Sequence, residues 1–284
     1  MMTPRTAQPP TLRRSGADLH VHTTHSDGVC SPCEVVAAAA GVGLSALAIT
    51  DHDTVSALPI ARPEAVRRSI ELIDGVELTC CLDDRELHLL GHFIDEHHAG
   101  LGDALFRLRA GRDQRMQTIA ARLKHAGLVL DLELLRKCFP RAVLGRAHVA
   151  RYLVKTGQVA SEREAFANHL GEAASAYVAK PRLHVVEAIE LIRASGGVAG
   201  LAHPPFNLRL ETLRALVAAG LGSIEVAGPG ISNRLSRRFR DWARELGLVP
   251  IAGSDFHVAD RPGCWVGAIR TPDADLNRLR QARG

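Results

Sequence analysis

The chain has 284 residues, 46% of them hydrophobic and 23% charged, the make-up of a soluble globular protein with room for one large α/β domain and an insertion. No apolar run approaches the ~18 residues of a membrane span, and Met1 to Ser15 has no apolar centre, so neither a transmembrane helix nor a signal peptide is expected. The net charge of +4 does not demand a polyanionic partner, so its distribution matters more than its sum.

Residues 1–15 read as a disordered tail. Asp18-Leu19-His20-Val21-His22 follows as a short strand, whose period of two sends His20 and His22 to one side. The turn Ser26-Asp27-Gly28 can fold the Asp27 carboxylate back over the same place. A His-x-His pair is also a common surface feature, so the rest of the chain must decide its meaning. Cys30-Ser-Pro-Cys33 has redox-motif spacing, but no second pair completes a four-thiolate zinc site. The thiols are read as reduced, in a cytoplasmic protein.

Ser31-Pro32 caps a helix through Glu34 to Ala40 that Gly41 and Gly43 stop. Leu44 to Thr50 is an apolar strand ending on Asp51-His52-Asp53, and a short helix around Pro63 to Ser69 leads into the strand Ile70 to Glu77. Leu87 to Ile94 is a third strand, with His88 and His92 inside it. From Leu101 to Leu170 the pattern is helical: 101–126, 131–137, 146–155 and 161–170. Between Leu101 and Lys155 stand twelve Lys/Arg against four acids, an excess suited to an anionic substrate. Alternation then resumes. A helix over 185–195 precedes the strand Val198 to Ala202, which ends on His203-Pro204. A helix over 210–219 precedes the strand Ser223 to Ala227. A helix over 232–246 precedes the strand Val249 to Ala252, which ends on Gly253-Ser254-Asp255-Phe256-His257, and 276–280 is a closing helix. The expected division is a barrel over 16–100 and 175–284, with 101–174 as an inserted helical cap.

In a parallel barrel, reactive groups gather at the carboxyl ends of the strands. His20, His22, Asp27, His52, Glu77, His88, His203, Asp255 and His257 all fall at, just beyond or within such runs. Six imidazoles and three carboxylates without a thiolate favour Mn, Fe or Zn in a hydrolytic site. Nine donors exceed one ion's needs and suit two or three ions at roughly three to four each, an arrangement fitted to hydrolysis at phosphorus.

These residues resemble the PHP (polymerase and histidinol phosphatase) metallophosphoesterases. The matching motifs are His20-x-His22 with Asp27-Gly28, Thr50-Asp51-His52-Asp53, Gly75-Val76-Glu77, His88, Ala202-His203-Pro204 and Gly253-Ser254-Asp255-x-His257. The resemblance implies a distorted (β/α)7 TIM-like barrel holding three divalent ions, Mn²⁺ first and Fe or Zn as alternatives. It implies that His20, His22, Glu77 and Asp255 hold one ion and a bridging hydroxide nucleophile. Glu77 would reach a second ion held with His88 and His203, and Asp27, His52 and His257 would hold the third.

The helical segment is similar to that of the stand-alone subgroup that acts on nucleotide 3′,5′-bisphosphates and, as 5′→3′ exoribonuclease, on short RNA. Gly145-Arg146-Ala147-His148-Val149-Ala150-Arg151 is similar to its cap motif, which implies that Arg146 and His148 contact substrate phosphate. Two departures stand out. Pro205-Phe206-Asn207 follows His203-Pro204 where the subgroup has an arginine, leaving Arg209 as the nearest one. The lysine expected before Tyr177-Val178 is missing, with Lys180 just after. A small-metabolite phosphatase of the histidinol-phosphate type and a regulatory PHP module are the alternative readings. Neither a membrane nor an obligate protein partner is expected.

Overall fold

The computed structural model describes residues 14–83, 85–258 and 265–283. The expected tail lies outside them as far as residue 13, and so does Cys264. Arg14 belongs to the fold, donating to the Ser69 and Arg68 carbonyls.

Eight strands are found among the described residues: β1 (Ala17–Asp18), β2 (Ala46–Ile49), β3 (Glu71–Leu82), β4 (Arg85–His92), β5 (Leu183–His184), β6 (Val198–Leu201), β7 (Ser223–Ala227) and β8 (Val249–Ala252). Their order is β1-β2-β3-β4-β6-β7-β8, with β5 beside β3. Leu19 N–H donates to the Ala252 carbonyl and His22 N–H to that of Phe256, drawing the last strand toward the first. The result is a nearly closed, distorted TIM-like barrel. Its distortion lies at β4, which runs antiparallel to both β3 and β6.

Burial explains the short strands. All four residues of β2 and of β6 are buried, as expected where both faces of a parallel sheet are covered. Leu47 and Ile49 pack on α1 (Pro32–Gly41) and α2 (Leu58–Arg67), while Ala46 and Ala48 face Ile73, Leu90 and Ile251. The expected strand from Asp18 to His22 keeps regular pairing only at Ala17–Asp18. Beyond it the backbone changes partners residue by residue. Leu19 turns to Ala252, Val21 accepts from Thr50 N–H, and the Thr50 hydroxyl takes the Val21 N–H.

At the start of α1 the Ser31 hydroxyl accepts from Glu34 N–H while Glu34 reaches back to Ser31 N–H, a reciprocal cap. Helix α2 begins earlier than expected, with Pro59 in its first turn, where a missing N–H costs nothing. Four helices fill the next segment: α3 (Ala99–His125), α4 (Leu132–Cys138), α5 (Arg146–Lys155) and α6 (Glu162–Ala165), the last running into a π turn at Phe166–Leu170. Leu101, Leu105 and Leu108 of α3 join the barrel's core with α7 (Val185–Ala194). Met116, Ile119 and Leu123 of the same helix instead pack with Leu135, Val149, Leu153 and Leu170 in a separate cluster. Thus α3 belongs to two cores. Helices α8 (Leu210–Ala218), α9 (Asn233–Leu246) and α10 (Asp273–Gln281) complete the chain. Among the described residues, no helix is long and apolar enough to cross a membrane.

Candidate metal centre

One end of the barrel collects the histidines and carboxylates. His20 and His22 follow β1, His52 follows β2, Glu77 lies in β3, His88 in β4, His203 after β6, and Asp255 and His257 after β8. His203 and Asp255 hold positive φ values of 25° and 47°, so the chain turns sharply where these side chains leave the strands. Gly253 permits the closest approach: a Cβ there would lie 2.4 Å from His20 Cβ. No other residue fits between β8 and the His20 backbone.

The nine candidate side chains meet in three overlapping groups. In the first, His20 Nε2 and His22 Nε2 lie 3.1 Å apart, and each is 3.3 Å from Asp255 Oδ1. Glu77 Oε2 stands 3.4 Å from His20 and 3.2 Å from His22. The other oxygen of Glu77 serves the second group, 2.8 Å from His88 Nδ1 and 3.1 Å from His203 Nε2. In the third, Asp27 Oδ1 lies 3.2 Å from His257 Nε2 and 4.0 Å from His52 Nε2 and His22 Nδ1.

These separations fit divalent cations. Donors ~2.1 Å from one ion lie roughly 3.0 to 3.4 Å apart in octahedral or tetrahedral geometry. The first group has those separations. Asp27 Oδ1, His52 Nδ1 and Glu77 Oε2 are also buried, with His52 Nδ1 2.8 Å from Glu77 Oε2 and Asp27 Oδ1 against His257 Nε2, a crowding of donor atoms that cations among them would satisfy. Without one, protons must neutralise the carboxylates. Burial alone would lower His22, but Asp255 and Glu77 outweigh it and push the imidazole up to about 10. Burial would raise Glu77, and His52, His88 and His20 hold it well below the ordinary carboxylate range.

A second layer of acids fixes this array. Glu225 of β7, 1% exposed, places Oε1 3.0 Å from His20 Nδ1, and its other oxygen accepts the His203 N–H. It therefore holds His20 with Nε2 toward the centre and ties the second group to the first. Asp18 accepts from Ser254 and Gly267 N–H, anchoring the loop that carries Asp255. Asp51 takes Thr23 N–H, the Thr23 hydroxyl and the Ser26 hydroxyl, clamping the turn before Asp27. Asp53, at φ 53°, pairs with Arg112 of α3. Asp51 and Asp53 thus face away from the centre into structural bonds. So do His25, on the Ser56 hydroxyl, and His92, which donates to the Leu19 carbonyl.

Glu225 was not among the sequence candidates. Its signal was there: one carboxylate inside the buried run Ser-Ile-Glu-Val-Ala. Its length, however, gives no clue that it faces histidines rather than an ion.

Arg146 and His148 stand outside the nine. His148 is buried, with Nδ1 accepting from Gly145 N–H and Nε2 donating to the Ser26 carbonyl beside Asp27. A phosphate contact would require one of those bonds to break. Arg146 lies over the Tyr177 ring and donates to the Leu170 carbonyl. Arg115, 4% exposed, donates through Nε to the Val178 carbonyl and is lowered to about 10 by burial and then by Arg112 and Arg146. Neither Arg115 nor Arg146 is ion-paired with a carboxylate among the described residues. Lys180 contacts His88 Nε2 and Glu86, and Arg209 lines a cavity of about 520 Å³ with Arg85 and Asn207.

The PHP domain profile matches residues 18–200, more than half of the chain and most of this site. The chain belongs to the PHP family. A 5′-3′ exoribonuclease of Haemophilus influenzae is 36% identical to this PHP protein, over 88% of this chain and 91% of that one. A 3′,5′-nucleoside bisphosphate phosphatase of Chromobacterium violaceum is 33% identical over 88% and 90%. Among solved structures, a candidate metal-dependent phosphoesterase from Bifidobacterium adolescentis superposes with a TM-score of 0.88 at 28% identity, covering 98% of each chain.

Proposed function

We propose that this PHP protein hydrolyses the P–O3′ bond of a 5′-phosphorylated nucleotide. The two activities named for its relatives then become one reaction. In a nucleoside 3′,5′-bisphosphate that bond carries a terminal phosphate. In a 5′-phosphorylated RNA the same phosphorus continues to the next nucleoside. Water adds to phosphorus, the bond to O3′ breaks, and O3′ takes a proton. From RNA the products are a 5′-mononucleotide and an RNA one residue shorter, again 5′-phosphorylated and again a substrate.

His20, His22, Glu77 and Asp255 would hold one ion, Glu77, His88 and His203 a second, and Asp27, His52 and His257 a third, with Mn²⁺ the proposed metal. Such ions supply a nucleophile by lowering the pKa of water and neutralise charge at phosphorus. The residues of the chain do the rest. Glu225 keeps His20 in one tautomer, and Asp18 and Asp51 fix the loops bearing Asp255 and Asp27. The observation that carries the substrate assignment is that Arg115 and Arg146 are both without a carboxylate ion pair among the described residues, which suits them to the second phosphate of the substrate, the one that is not cleaved. Residues 101–174 would then act as a cap bringing those cations over the barrel, with His148 holding the Asp27 turn against α5.

Phosphate release from adenosine 3′,5′-bisphosphate with added Mn²⁺ is the test. Release is expected from the wild-type protein and is expected to vanish in His20→Ala. A purified protein that binds no metal and frees no phosphate from this compound or from a 5′-phosphorylated oligoribonucleotide overturns the reading.

A further inference from the structure

We infer that a groove between α3 and the loop at Arg141 binds single-stranded RNA downstream of the scissile bond. The groove encloses about 560 Å³ and is lined by Phe106, Arg109, Arg112, Arg136, Arg141 and Thr54 among others. Phe106 and Arg109 are one turn apart on an outward face of α3, and Phe106 is 68% exposed. Arg136 is fixed by the Ala142 carbonyl and Asp113, so the rim is built. Arg109 and Arg141 have no ionic or hydrogen-bonding partner among the described residues. An open aromatic face beside unpaired guanidinium heads is the chemistry of single-strand binding, in which a base stacks while cations follow the phosphates.

The groove is also tied to the loop that carries His52. Thr54 follows Asp53 and lies two residues from His52. Arg112 reaches from the groove to Asp53 through its Nε, 2.9 Å from Oδ2. Arg141 is shared with a second cavity, of about 330 Å³, whose wall includes Ser26 and Gly28 on either side of Asp27. Arg141 therefore stands where two cavities meet, the second of them walled by the residues on either side of Asp27. A free bisphosphate ends at its 3′-phosphate and has nothing to place there, whereas RNA has the next nucleotide. The inference rests on the reading above for the position of the scissile phosphorus.

Fluorescence anisotropy with a labelled 5′-phosphorylated oligoribonucleotide, together with kcat/KM on that oligomer and on adenosine 3′,5′-bisphosphate, tests it in the full chain. Phe106→Ala is expected to weaken oligomer binding about tenfold. The double variant Arg109→Glu/Arg141→Glu is expected to weaken it further and to reduce the slope of log affinity against log salt by about 1.4, for two lost phosphate contacts. Both variants should hydrolyse the bisphosphate within about twofold of wild type. Equal oligomer affinity in wild type and double variant overturns the groove, as does polyphosphate binding as tightly as RNA with no effect of Phe106→Ala. If wild type binds RNA through these residues yet cleaves neither substrate, the groove stands and the phosphoesterase reading falls.

Discussion

Glu225 shows how much of a metal site can reside in a side chain that touches no metal. Its two oxygens serve two histidines of different groups, one through a ring nitrogen and the other through the backbone N–H of His203. In Glu225→Gln the amide can still accept from one partner but presents N–H to the other, where it meets a second donor. Metal affinity, read by competition with a chromogenic chelator, should fall about 10- to 100-fold while the melting temperature of the chelated protein changes little. Unchanged affinity would mean that the packing around His20 fixes the ring alone.

At this scale the sequence was legible wherever a residue type is scarce and its position regular. Histidine and carboxylate at the ends of apolar runs marked nine positions that the fold brings together. The acids behind them were harder to read. Asp51 and Asp53 flank His52 symmetrically in sequence, yet one clamps the Thr23–Ser26 turn and the other meets Arg112, nearly sixty residues away. Only tertiary structure distinguishes them. His148 likewise carries the look of a phosphate ligand, and its two backbone bonds depend on a loop that passes close by in space.

Among the elements, α3 is the one that joins two cores. Its first half packs in the barrel core and its second half in the separate helical cluster, and between them Arg112, 5% exposed, donates to fully buried Asp53 and to the Thr79 hydroxyl at 3.0 Å. Asp53 in turn accepts Thr79 N–H at 2.8 Å, binding the loop after β2 to β3. Burial raises the Asp53 pKa, and the Arg112 guanidinium, the Thr79 N–H and His52 together bring it below the ordinary carboxylate value. Arg112→Met leaves that carboxylate buried and uncompensated, a loss of about 3–5 kcal/mol. Urea unfolding should show it, and Arg112→Met/Asp53→Asn should recover most of it because neither charge is then buried. An unfolding midpoint unmoved by Arg112→Met would sever the proposed link between the helical cluster and the barrel.

The elements themselves were read more easily than their directions. Strands β7 and β8 and helix α5 have the limits that their patterns gave, because Gly, Pro or a capping residue bounds each. The antiparallel course of β4 was not read. Both β3 and β4 are buried apolar runs, and neither periodicity nor composition encodes direction in such a strand. The clue was brevity: Leu82 pairs with Arg85, so the connection is too short for a parallel crossover. Missing the stretch Leu78 to Leu82 hid it.

For the whole molecule, stability toward acid should be set in part by histidines that serve no ion. His92 is fully buried and His148 nearly so, and burial pushes each down to about 4. In the unfolded chain both take a proton near pH 6.5. Between pH 4 and 6.5 the unfolded state therefore holds more protons, and stability rises with pH across that window. The contribution is complete above 6.5 and fades as the pH falls toward 4, by on the order of 3 kcal/mol per histidine. The candidate ligands titrate too, so the comparison must be between variants. Gln in place of His92 can still donate to the Leu19 carbonyl but takes up no proton in either state. Unfolding free energies of chelated wild type and His92→Gln, measured from pH 4 to 7.5, should converge toward the acid end. Wild type should show the steeper fall below 6.5, and parallel curves would show that His92 stays neutral in both states or charged in both.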